Sequence, residues 1–329
     1  MRIGIKTMMW RRPVVFEIYA AGIKRLMDNF GVIPYVVGSE GDVSRERCEK
    51  HGFNYIEYPN VPLGAKANAC LKAMRGHVDY VLNLGSDDLI SNSLMQRYIK
   101  LIEEGYDMVG VKDMYFYERL RNRLIYWEGY TERRRRGESL GLGRVLSAKL
   151  LDTFNWEMWE ENINMSMDWS MTQKLKDITN KKVISLKETN TFAVDIKDGN
   201  SMGNFETFVK KIKRKKAYFV NTSKIKESLP EHKLFKERIM TTAEVLMGIK
   251  TIENRAYSMQ YYNQELRPTK DCQRIGIARE NMKKELLRFY VKDRAIKFAV
   301  DSHSPDNKKD LEFYTGLHKI RYEEWINTH

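Results

Sequence analysis

The 329-residue sequence has no apolar run close to the length that a membrane-spanning helix requires. Crossing a bilayer takes roughly 18 or more consecutive apolar residues. Near the N-terminus, Arg11 and Arg12 interrupt the chain before the apolar stretch of a secretory signal could form. These absences argue against an integral membrane protein and a secreted protein. They predict a cytoplasmic protein, located in the host-cell cytoplasm if it is viral.

Cysteine and proline are also scarce. The three cysteines, Cys48, Cys70 and Cys272, lie far apart and match neither a zinc motif nor a disulfide framework. They are expected to be reduced and buried. Seven prolines argue against long flexible linkers. With 42% apolar and 31% charged residues, the composition is that of a folded globular protein, in one large domain or a catalytic domain with a smaller accessory region.

The excess of positive charge is concentrated in the last part of the chain. The formal net charge is +13, and residues 204–329 hold 27 Lys+Arg against 17 Asp+Glu, a net of +10. Six of the seven positions in Lys210–Lys216 are basic. Such a region suggests an anionic partner, either nucleic acid or an acidic membrane surface that the protein contacts peripherally.

Strand and helix patterns alternate through the first half of the chain. Strands are predicted at 2–8, 33–37, 54–58 and 80–84, and helices at 14–30, 44–51 and 63–75. Further strands are predicted at 108–111, 125–130 and 182–186, with a helix near 147–159. This alternation predicts an α/β fold with a doubly wound, mostly parallel sheet. The polar loops Thr7–Arg12, Gly38–Asp42 and Gly85–Asp88 follow strands and should meet at one sheet edge.

The pattern changes to helices only after about residue 203. Helices are predicted at 205–219, 232–250, 251–265 and 278–294. We therefore predict a catalytic domain over 1–203 and a basic, mainly helical accessory region over 204–329. Within the latter, Thr269–Tyr290 weakly resembles a helix-turn-helix, although helical hairpins with a glycine turn are common.

The strongest local motif is the acidic pair Asp87-Asp88, which follows a predicted buried strand. Carboxylate oxygens at a strand end are typical ligands of Mg²⁺ or Mn²⁺, and such ions bridge to substrate phosphates. The alternative is that Asp88 caps a helix predicted over Leu89–Lys100. Taken alone, the pair favours the cap.

The surroundings of the pair reverse that preference. Gly64-Ala-Lys66-Ala-Asn68, then a helix and a strand, precede Gly85-Ser86-Asp87-Asp88. This block resembles family 2 glycosyltransferases with the GT-A fold, especially those of phages and large viruses. Their longer acidic motif has an acid where this sequence has Gly85. The resemblance covers about residues 1–203, and 204–329 has no counterpart in it.

The resemblance implies a set of site residues. It places metal ligation on Asp88, with Asp87 at the ribose or the metal and Asp195 as a further metal or phosphate contact. The implied catalytic acid is Asp168, in Asn164-Met-Ser-Met-Asp168-Trp169, where the family usually has Glu-Asp. Donor-binding residues implied or inferred from the polar loops are Thr7, Arg11, Ser39, Glu40, Lys66, Asn68 and Arg144. The implied ligands are Mn²⁺ or Mg²⁺ and a nucleotide-sugar, expected to be UDP-linked.

Two of these residues have simpler alternative explanations. Lys66 could be a solvated helix residue, and Asp168 could cap the helix that follows it. If Asp168 is instead a general base, the absence of an enzyme nucleophile predicts direct displacement with inversion. A nucleotidyltransferase could share the fold, but Thr7–Pro13 lacks the glycine-rich phosphate loop that such enzymes carry near the N-terminus.

Basic and aromatic residues are the candidates for binding the acceptor. A basic run, Arg133–Arg136, follows Trp127 and Tyr130, and could grip a phosphate backbone or stack on a base; a solvated loop is the more common explanation. The candidate acceptor residues are Trp127, Arg134, Arg135, Lys213, Arg214 and Lys215. Met165, Met167, Trp169 and Met171 are predicted to be core, and Trp156 and Trp159 to pack.

Three functions remain open from the sequence. The first is a glycosyltransferase acting on a hydroxymethylated pyrimidine in DNA, as in phages that modify their genomes. The second is a glycosyltransferase for a surface polysaccharide or a lipid-linked glycan. The third is a non-catalytic DNA-binding protein, against which the combined presence of Asp87, Asp88 and Asp168 argues.

Overall fold

The computed structural model describes residues 1–236, apart from Arg11 and positions 120–121, 198–204, 206–208, 210–211 and 213–215. The chain divides into two compact units, Met1–Arg238 and Ile239–His329. The second unit lies outside the described residues, together with Cys272 and the predicted helix-turn-helix.

The larger sheet has seven strands in the order β10-β6-β9-β4-β1-β2-β3. Its strands are β1 (Ile3–Met8), β2 (Ile33–Gly38), β3 (Asn54–Glu57), β4 (Tyr80–Asn83), β6 (Met108–Val111), β9 (Arg144–Ser147) and β10 (Lys181–Ile184). Only β9 runs antiparallel to its neighbours. Strands β4, β1, β2 and β3 are parallel, so their carboxyl ends lie along one edge.

A second sheet has five strands in the order β12-β8-β7-β11-β5. These are β5 (Asp88–Ile90), β7 (Met114–Glu118), β8 (Arg123–Trp127), β11 (Ala193–Lys197) and β12 (Ala217–Val220). The chain passes from β4 in the first sheet to β5 in the second through a single turn. The acidic pair stands at the end of that turn, with Asp88 the first residue of β5, and therefore lies where the two sheets adjoin.

Helices cover both faces of the larger sheet. They are α1 (Pro13–Phe30), α2 (Asp42–Glu49), α3 (Leu63–Met74), α4 (Asn92–Glu103), α5 (Ala148–Thr153), α6 (Met167–Leu175) and α7 (Leu186–Thr189), followed by Ser223–Ser228 and His232–Lys236. Proline is tolerated in the first helical turn, where Pro13 begins α1. Gly31 ends α1 with a positive φ and donates its N–H to Met27 O at 2.9 Å.

The two faces of the sheet bury separate cores. Leu82 and Val145 belong to the core that includes Phe16 and Tyr19 of α1. The residues beside them, Val81 and Leu146, point to the opposite face, into a core built with α3 and α6. This alternation follows from the period of two along a strand. Polar residues at the ends of the same strands must therefore also divide between the two faces.

The predicted fold class is confirmed: a doubly wound, mostly parallel α/β sheet. The segment after the acidic pair differs from the prediction, because Asp88–Ile90 is a strand and the helix begins at Asn92. The helix predicted near 147–159 covers only Ala148–Thr153. The helix predicted over 205–219 is wrong at its end, where Ala217–Val220 pairs with β8. Among the described residues, no helix combines the length and apolarity that a membrane span needs.

The first compact unit extends past the boundary placed at residue 203. Besides β12, the helix His232–Lys236 packs on this unit, where Phe235 contacts the ring of Tyr117. Glu231 makes a two-pronged ion pair with Arg25 of α1, with both N···O distances at 3.0 Å. Both side chains are almost fully buried. The separate functional role predicted for the basic region stays a prediction.

We predict that Glu231→Ala lowers the free energy of unfolding by about 3 kcal/mol or more, because it leaves the Arg25 guanidinium buried with its carboxylate partner removed. Urea denaturation measures the change. The control is Glu157→Ala, which removes a pair with Lys72 that is about half-exposed. Such an exposed pair should contribute far less. Equal losses in the two variants would contradict the structural role of Glu231.

Candidate functional site

Three polar loops meet at the carboxyl edge of the larger sheet, as predicted. Lys66 joins the first two, because its Nζ donates to Met9 O at 2.9 Å after β1 and to Ser39 Oγ at 3.1 Å after β2. Arg12 joins the first to the third by pairing with Asp87 at 2.7 Å. The loops therefore form one surface, at the edge where parallel α/β sheets bind ligands.

Three carboxylates cluster on this surface. Asp87, Asp88 and Asp195 each offer an oxygen, and these oxygens lie within 4.8 Å of one another. Asp87 and Asp88 come from the turn and from β5, while Asp195 comes from β11 and stands directly opposite Asp88 in an antiparallel pair. Residues more than a hundred positions apart in the chain are thus brought together by strand pairing.

Two cations hold the outer carboxylates. Arg12 pairs with Asp87 Oδ2 at 2.7 Å, and Lys197 Nζ donates to Asp195 Oδ2 at 2.6 Å. The second oxygen of Asp195, Oδ1, is buried and has no hydrogen-bond partner among the described residues. A buried acceptor without a donor costs free energy. The cluster, with three acids against two bases and an unused oxygen, is therefore compatible with a divalent cation.

The pKa values of the three carboxyl groups are pushed apart. Burial raises the pKa of Asp88 well above its usual range, and the charges of Asp87 and Asp195 act in the same direction. Burial raises the pKa of Asp195 to about 7, against the opposing effect of Lys197. For Asp87, burial is outweighed by the charges of Arg12 and Lys197, which lower the pKa. The carboxylates of the cluster thus repel one another, and a bound cation would offset that repulsion.

Gly85 permits this crowding. A Cβ at Gly85 would lie 2.8 Å from Asp87 Oδ1 and 2.9 Å from Asp88 Oδ2. The backbone N–H of Gly85 donates to Asp88 Oδ2 at 2.6 Å. Because residue 85 is glycine, the carboxylates of Asp87 and Asp88 have room to fold back over the turn. In this structure the third carboxylate of the cluster comes from Asp195.

The helix-cap explanation of Asp88 is excluded by the geometry. The helix α4 begins at Asn92, and its N-cap is Ser91, whose Oγ accepts from Leu94 N at 3.2 Å. Asp88 instead begins β5. Its burial is consequently not explained by helix capping.

Several predicted donor-binding residues lie at the site but have internal partners. Lys66 is buried and not a solvated helix residue, and its third hydrogen bond goes to Asn60 Oδ1 at 3.0 Å. Asn68 exchanges two hydrogen bonds with the backbone of Trp159. Thr7 is hydrogen-bonded to Tyr19 beneath the surface. These contacts position the loops, and the binding of a donor by these residues stays a prediction.

The remaining loop residues lie at the opening of the site. Ser39 and Glu40 are half-buried, and Ser44 Oγ donates to Glu40 Oε2 at 3.4 Å. Arg11, the other predicted donor contact, lies outside the described residues. Its neighbour Arg12, in the same predicted loop, pairs with Asp87.

Asp168 lies in the first turn of α6 and is exposed. Its side chain makes no hydrogen bond to a described backbone N–H, so capping does not explain its position. The carboxylate rests on Gly141, where a Cβ would overlap it. Gly141 O in turn accepts from Asn83 Nδ2 at 2.8 Å, at the end of β4. Asp168 therefore lies above the same strand whose continuation carries the acidic pair.

The residues flanking Asp168 differ from the core positions predicted for them. Met165 is 77% exposed and Trp169 is 41% exposed. Met171 is buried, as are Trp156 and Trp159. The periodic spacing of these residues is that of a packed helix, but Met165 precedes α6, which begins at Met167 and is buried through Ser170, Met171 and Leu175. The exposed pair thus forms an apolar rim beside Asp168.

Among the predicted acceptor residues, Arg135 lies beside Trp169, the chain neighbour of Asp168, and Trp127 does not. The Arg135 guanidinium lies 3.4 Å from the ring centroid of Tyr130 and 5.3 Å from that of Trp169. Trp127 is 5% exposed and packs in the core, so its ring is not open to a stacking ligand. Arg134 is exposed, and Lys213, Arg214 and Lys215 lie outside the described residues.

The comparisons with known proteins add no assignment. No model of a known protein family matches the chain, and a search of curated proteins finds no match. Among solved structures, TarS 1–349 from S. aureus is 14% identical, covering 100% of this chain and 92% of that one, with a TM-score of 0.38. The inositol-1-phosphate CTP transferase from T. maritima is 16% identical, covering 69% and 97%, with a TM-score of 0.38. Likeness at this level identifies no activity.

We predict that Mn²⁺ raises the melting temperature more at about pH 8 than at about pH 6. A cation must displace the protons that Asp88 and Asp195 retain because their pKa values are raised. Without metal, the stability contributed by these groups changes with pH in the opposite direction. The folded state holds these protons up to about pH 7 for Asp195, whereas the unfolded chain loses them near 3.8, so the contribution of the pair to stability falls over that interval.

Asp88→Asn should abolish the Mn²⁺-dependent gain and leave the metal-free protein at least as stable as the wild type above pH 7. The reason is that the substitution removes a buried charge next to two like charges. Differential scanning calorimetry with chelator and with Mn²⁺ measures both effects. The control is Asp79→Asn, at an exposed pair with Arg2. An unchanged Mn²⁺ response in Asp88→Asn would rule out the metal assignment.

Proposed function

We propose that this chain is a metal-dependent glycosyltransferase of the GT-A type. It moves a sugar from a nucleotide-sugar, UDP-linked, to an acceptor hydroxyl. The observation that carries the proposal is the carboxylate cluster, with its unused Asp195 Oδ1, at the same sheet edge as the exposed carboxylate of Asp168. The cluster suits a bound cation, and Asp168 suits the role of proton acceptor.

The cluster residues Asp87, Asp88 and Asp195 would hold Mn²⁺ or Mg²⁺. When bound, such an ion neutralises charge on a diphosphate leaving group. Arg12 and Lys197 fix the two outer carboxylates, so the cluster is organised before a substrate arrives. The loop after β1 carries Trp10 and Arg12 where a nucleotidyltransferase would have glycines, which favours the glycosyl over the nucleotidyl reaction.

Asp168 is the proposed general base. It is exposed, its carboxylate makes no hydrogen bond or ion pair with another described residue, and it rests on Gly141, so it is available to accept the proton of an attacking hydroxyl. A base without an enzyme nucleophile gives a single displacement at the anomeric carbon. The product is then inverted in configuration.

Asp168→Asn is expected to lower kcat by about 10²–10⁴-fold and to leave donor affinity nearly unchanged. Asparagine has almost the same shape but cannot accept the proton. Steady-state kinetics, with donor affinity measured by calorimetry, separate the two quantities. Asp177→Asn, at an exposed position after α6, is the matched control. An unaffected kcat would assign the role to another carboxylate.

The acceptor that we propose is a hydroxymethylated pyrimidine in DNA. The net charge of +10 over residues 204–329 supports an anionic polymer as partner. Beside Asp168, the stack of Tyr130, Arg135 and Trp169 offers an aromatic face and a guanidinium, which suit an unstacked base. The alternative acceptor is a surface or lipid-linked glycan, with the basic surface placed on acidic lipid.

DNA affinity should fall steeply with salt, and changing Lys213, Arg214 and Lys215 together to Glu should flatten that dependence. Each lost phosphate contact removes about 0.9 from the slope of log affinity against log salt for duplex DNA. Fluorescence anisotropy across a salt series measures the slope. Changing Lys100, Lys149 and Lys176 to Glu is the charge-matched control. If the wild type shows no salt-dependent DNA affinity but binds acidic vesicles, the glycan acceptor replaces DNA.

A further inference from the structure

A row of three polar side chains crosses the larger sheet beneath Asp168. Lys6 in β1 stands opposite Asn83 in β4, and Asn83 stands opposite Arg144 in β9. Cross-strand partners point to the same face of a sheet. This face is the one covered by α3 and α6, since Val81 and Leu146, each two positions from the row on its own strand, lie in that core.

Lys6 is a buried side chain whose ammonium makes no hydrogen bond to a described residue. It is 2% exposed, and its Nζ lies 4.4 Å from the ring centroid of Trp159. No described residue accepts a hydrogen bond from it. Burial lowers the pKa of Lys6 to about 8, so the group is still mainly charged at neutral pH. Burial makes the charged form of Lys6 costly, and a bound anion would offset that cost.

Arg144 brings a second unsatisfied donor to the same face. It is 1% exposed, with Nε donating to Ser139 Oγ at 2.9 Å and Nη2 donating to Ser139 O at 2.7 Å and to Thr172 Oγ1 at 3.2 Å. Its Nη1 is buried and has no partner among the described residues. Between the two cations, Asn83 is half-buried and uses only its Nδ2, on Gly141 O. The row therefore presents donor, acceptor and donor.

The charges of the row are not balanced. The acid that acts on both cations is Asp168, which is exposed and makes no ion pair with either of them. Glu138 also acts on Arg144, but its carboxylate is paired with Arg135. Two buried cations facing one unpaired, solvated carboxylate thus leave a net positive charge in a poorly hydrated place. Structural lysines and arginines are normally paired when buried. The imbalance indicates that the missing anion belongs to a ligand.

The row is separate from the carboxylate cluster. Arg12, directly before α1, pairs with Asp87, and Asp88 is close enough to Tyr19 of α1 for its charge to add to the effect of burial in raising the pKa of that phenol. The cluster is thus on the α1 side of the sheet, whereas Trp159 and the row lie on the opposite side. A diphosphate at the cluster and an anion at the row would thus lie on opposite sides of the end of β4. The row faces the side of Asp168, where the sugar and the acceptor would meet.

We infer that Lys6, Asn83 and Arg144 bind an anionic group, a carboxylate or a phosphate, on the substrate portion next to Asp168. The inference rests on the proposed glycosyltransferase function. Its favoured source is an acidic sugar in the donor, because a carboxylate can accept from Lys6 and Arg144 while a neighbouring hydroxyl donates to Asn83 Oδ1. The other source is an anionic group of the acceptor.

The decisive comparison uses UDP-glucuronate and UDP-glucose with Mn²⁺, which differ only in a carboxylate and a hydroxymethyl group. Calorimetry on the full chain should show about tenfold or greater preference for UDP-glucuronate. Lys6→Met, which is one atom shorter but keeps an unbranched apolar side chain against Trp159, should reduce that preference to near unity and leave UDP affinity unchanged. Lys72→Met, at an exposed lysine, should retain it.

If the anion belongs to the acceptor, the two donors bind equally. In that case Lys6→Met, but not Lys72→Met, weakens the binding of a single-stranded oligonucleotide in the presence of Mn²⁺ and UDP. Equal affinities throughout, in all three proteins, would overturn the inference. Failure of UDP itself to bind with Mn²⁺ would overturn the proposed glycosyltransferase function instead.

A readout without nucleotide tests the row directly. Lys6→Met should raise the melting temperature of the ligand-free protein, because it removes an uncompensated buried charge. Millimolar inorganic phosphate should stabilise the wild type more than Lys6→Met. Arg144→Lys, which keeps the charge but loses the fork, should weaken the phosphate response without the gain in stability. Destabilisation by Lys6→Met, with an unchanged phosphate response, would show a structural lysine and contradict the inference.

Discussion

The passage of the chain from one sheet to the other is the constraint on which the site depends. β4 ends in the larger sheet, and after one turn β5 pairs with β11 in the smaller sheet. Antiparallel pairing sets Asp195 opposite Asp88, and the glycine in the turn allows Asp87 and Asp88 to approach the backbone. The backbone hydrogen bonds between β5 and β11 thus hold three like charges together despite their mutual repulsion.

Holding these charges reduces stability in the absence of a ligand. Burial and mutual repulsion raise the pKa values of Asp88 and Asp195, while Arg12 and Lys197 offset only part of the charge. Similar costs recur at Lys6 and Arg144 on the opposite face. The free energy gained by the apolar cores and by buried pairs such as Arg25 with Glu231 offsets these costs. Unsatisfied groups on both faces of one strand end are typical of a site that is completed by its ligand.

The two faces of the sheet divide the proposed chemistry. On the α1 side, acidic oxygens suit a cation and the phosphates that it attracts. On the α3 and α6 side, Asp168 and the cationic row suit the reacting groups, with Trp169 and Met165 as an apolar rim. Side chains at successive positions of a strand point to opposite faces, so β4 and the turn after it can supply both halves of the site. A donor that spans the end of β4 would contact both.

Several elements of the fold and part of the site could be predicted from the sequence. The alternation of apolar strands and amphipathic helices up to Tyr80–Asn83 reflects local periodicity, and the order of these elements limits the sheet to a mostly parallel topology. The acidic pair at the end of β4 was visible for the same reason, since a buried strand followed by two acids is a local pattern. Asp195 joined the predicted metal ligands through a family resemblance, and only strand pairing placed it opposite Asp88.

Other features depended on contacts that are distant in the chain. Lys6 within an apolar strand, Asn83 at the end of another and Arg144 more than 60 residues later become a single row only through the register of three strands. Trp169 and Met165 have core-like spacing, but Met165 precedes α6, and α6 packs through Met171 and Leu175, which leaves Trp169 exposed. The sequence by itself determined the elements up to β4, their order and the acidic pair, because these depend on neighbours along the chain. The tertiary structure alone decided which charges are buried, paired or left for a ligand, because burial and pairing depend on what the fold brings together.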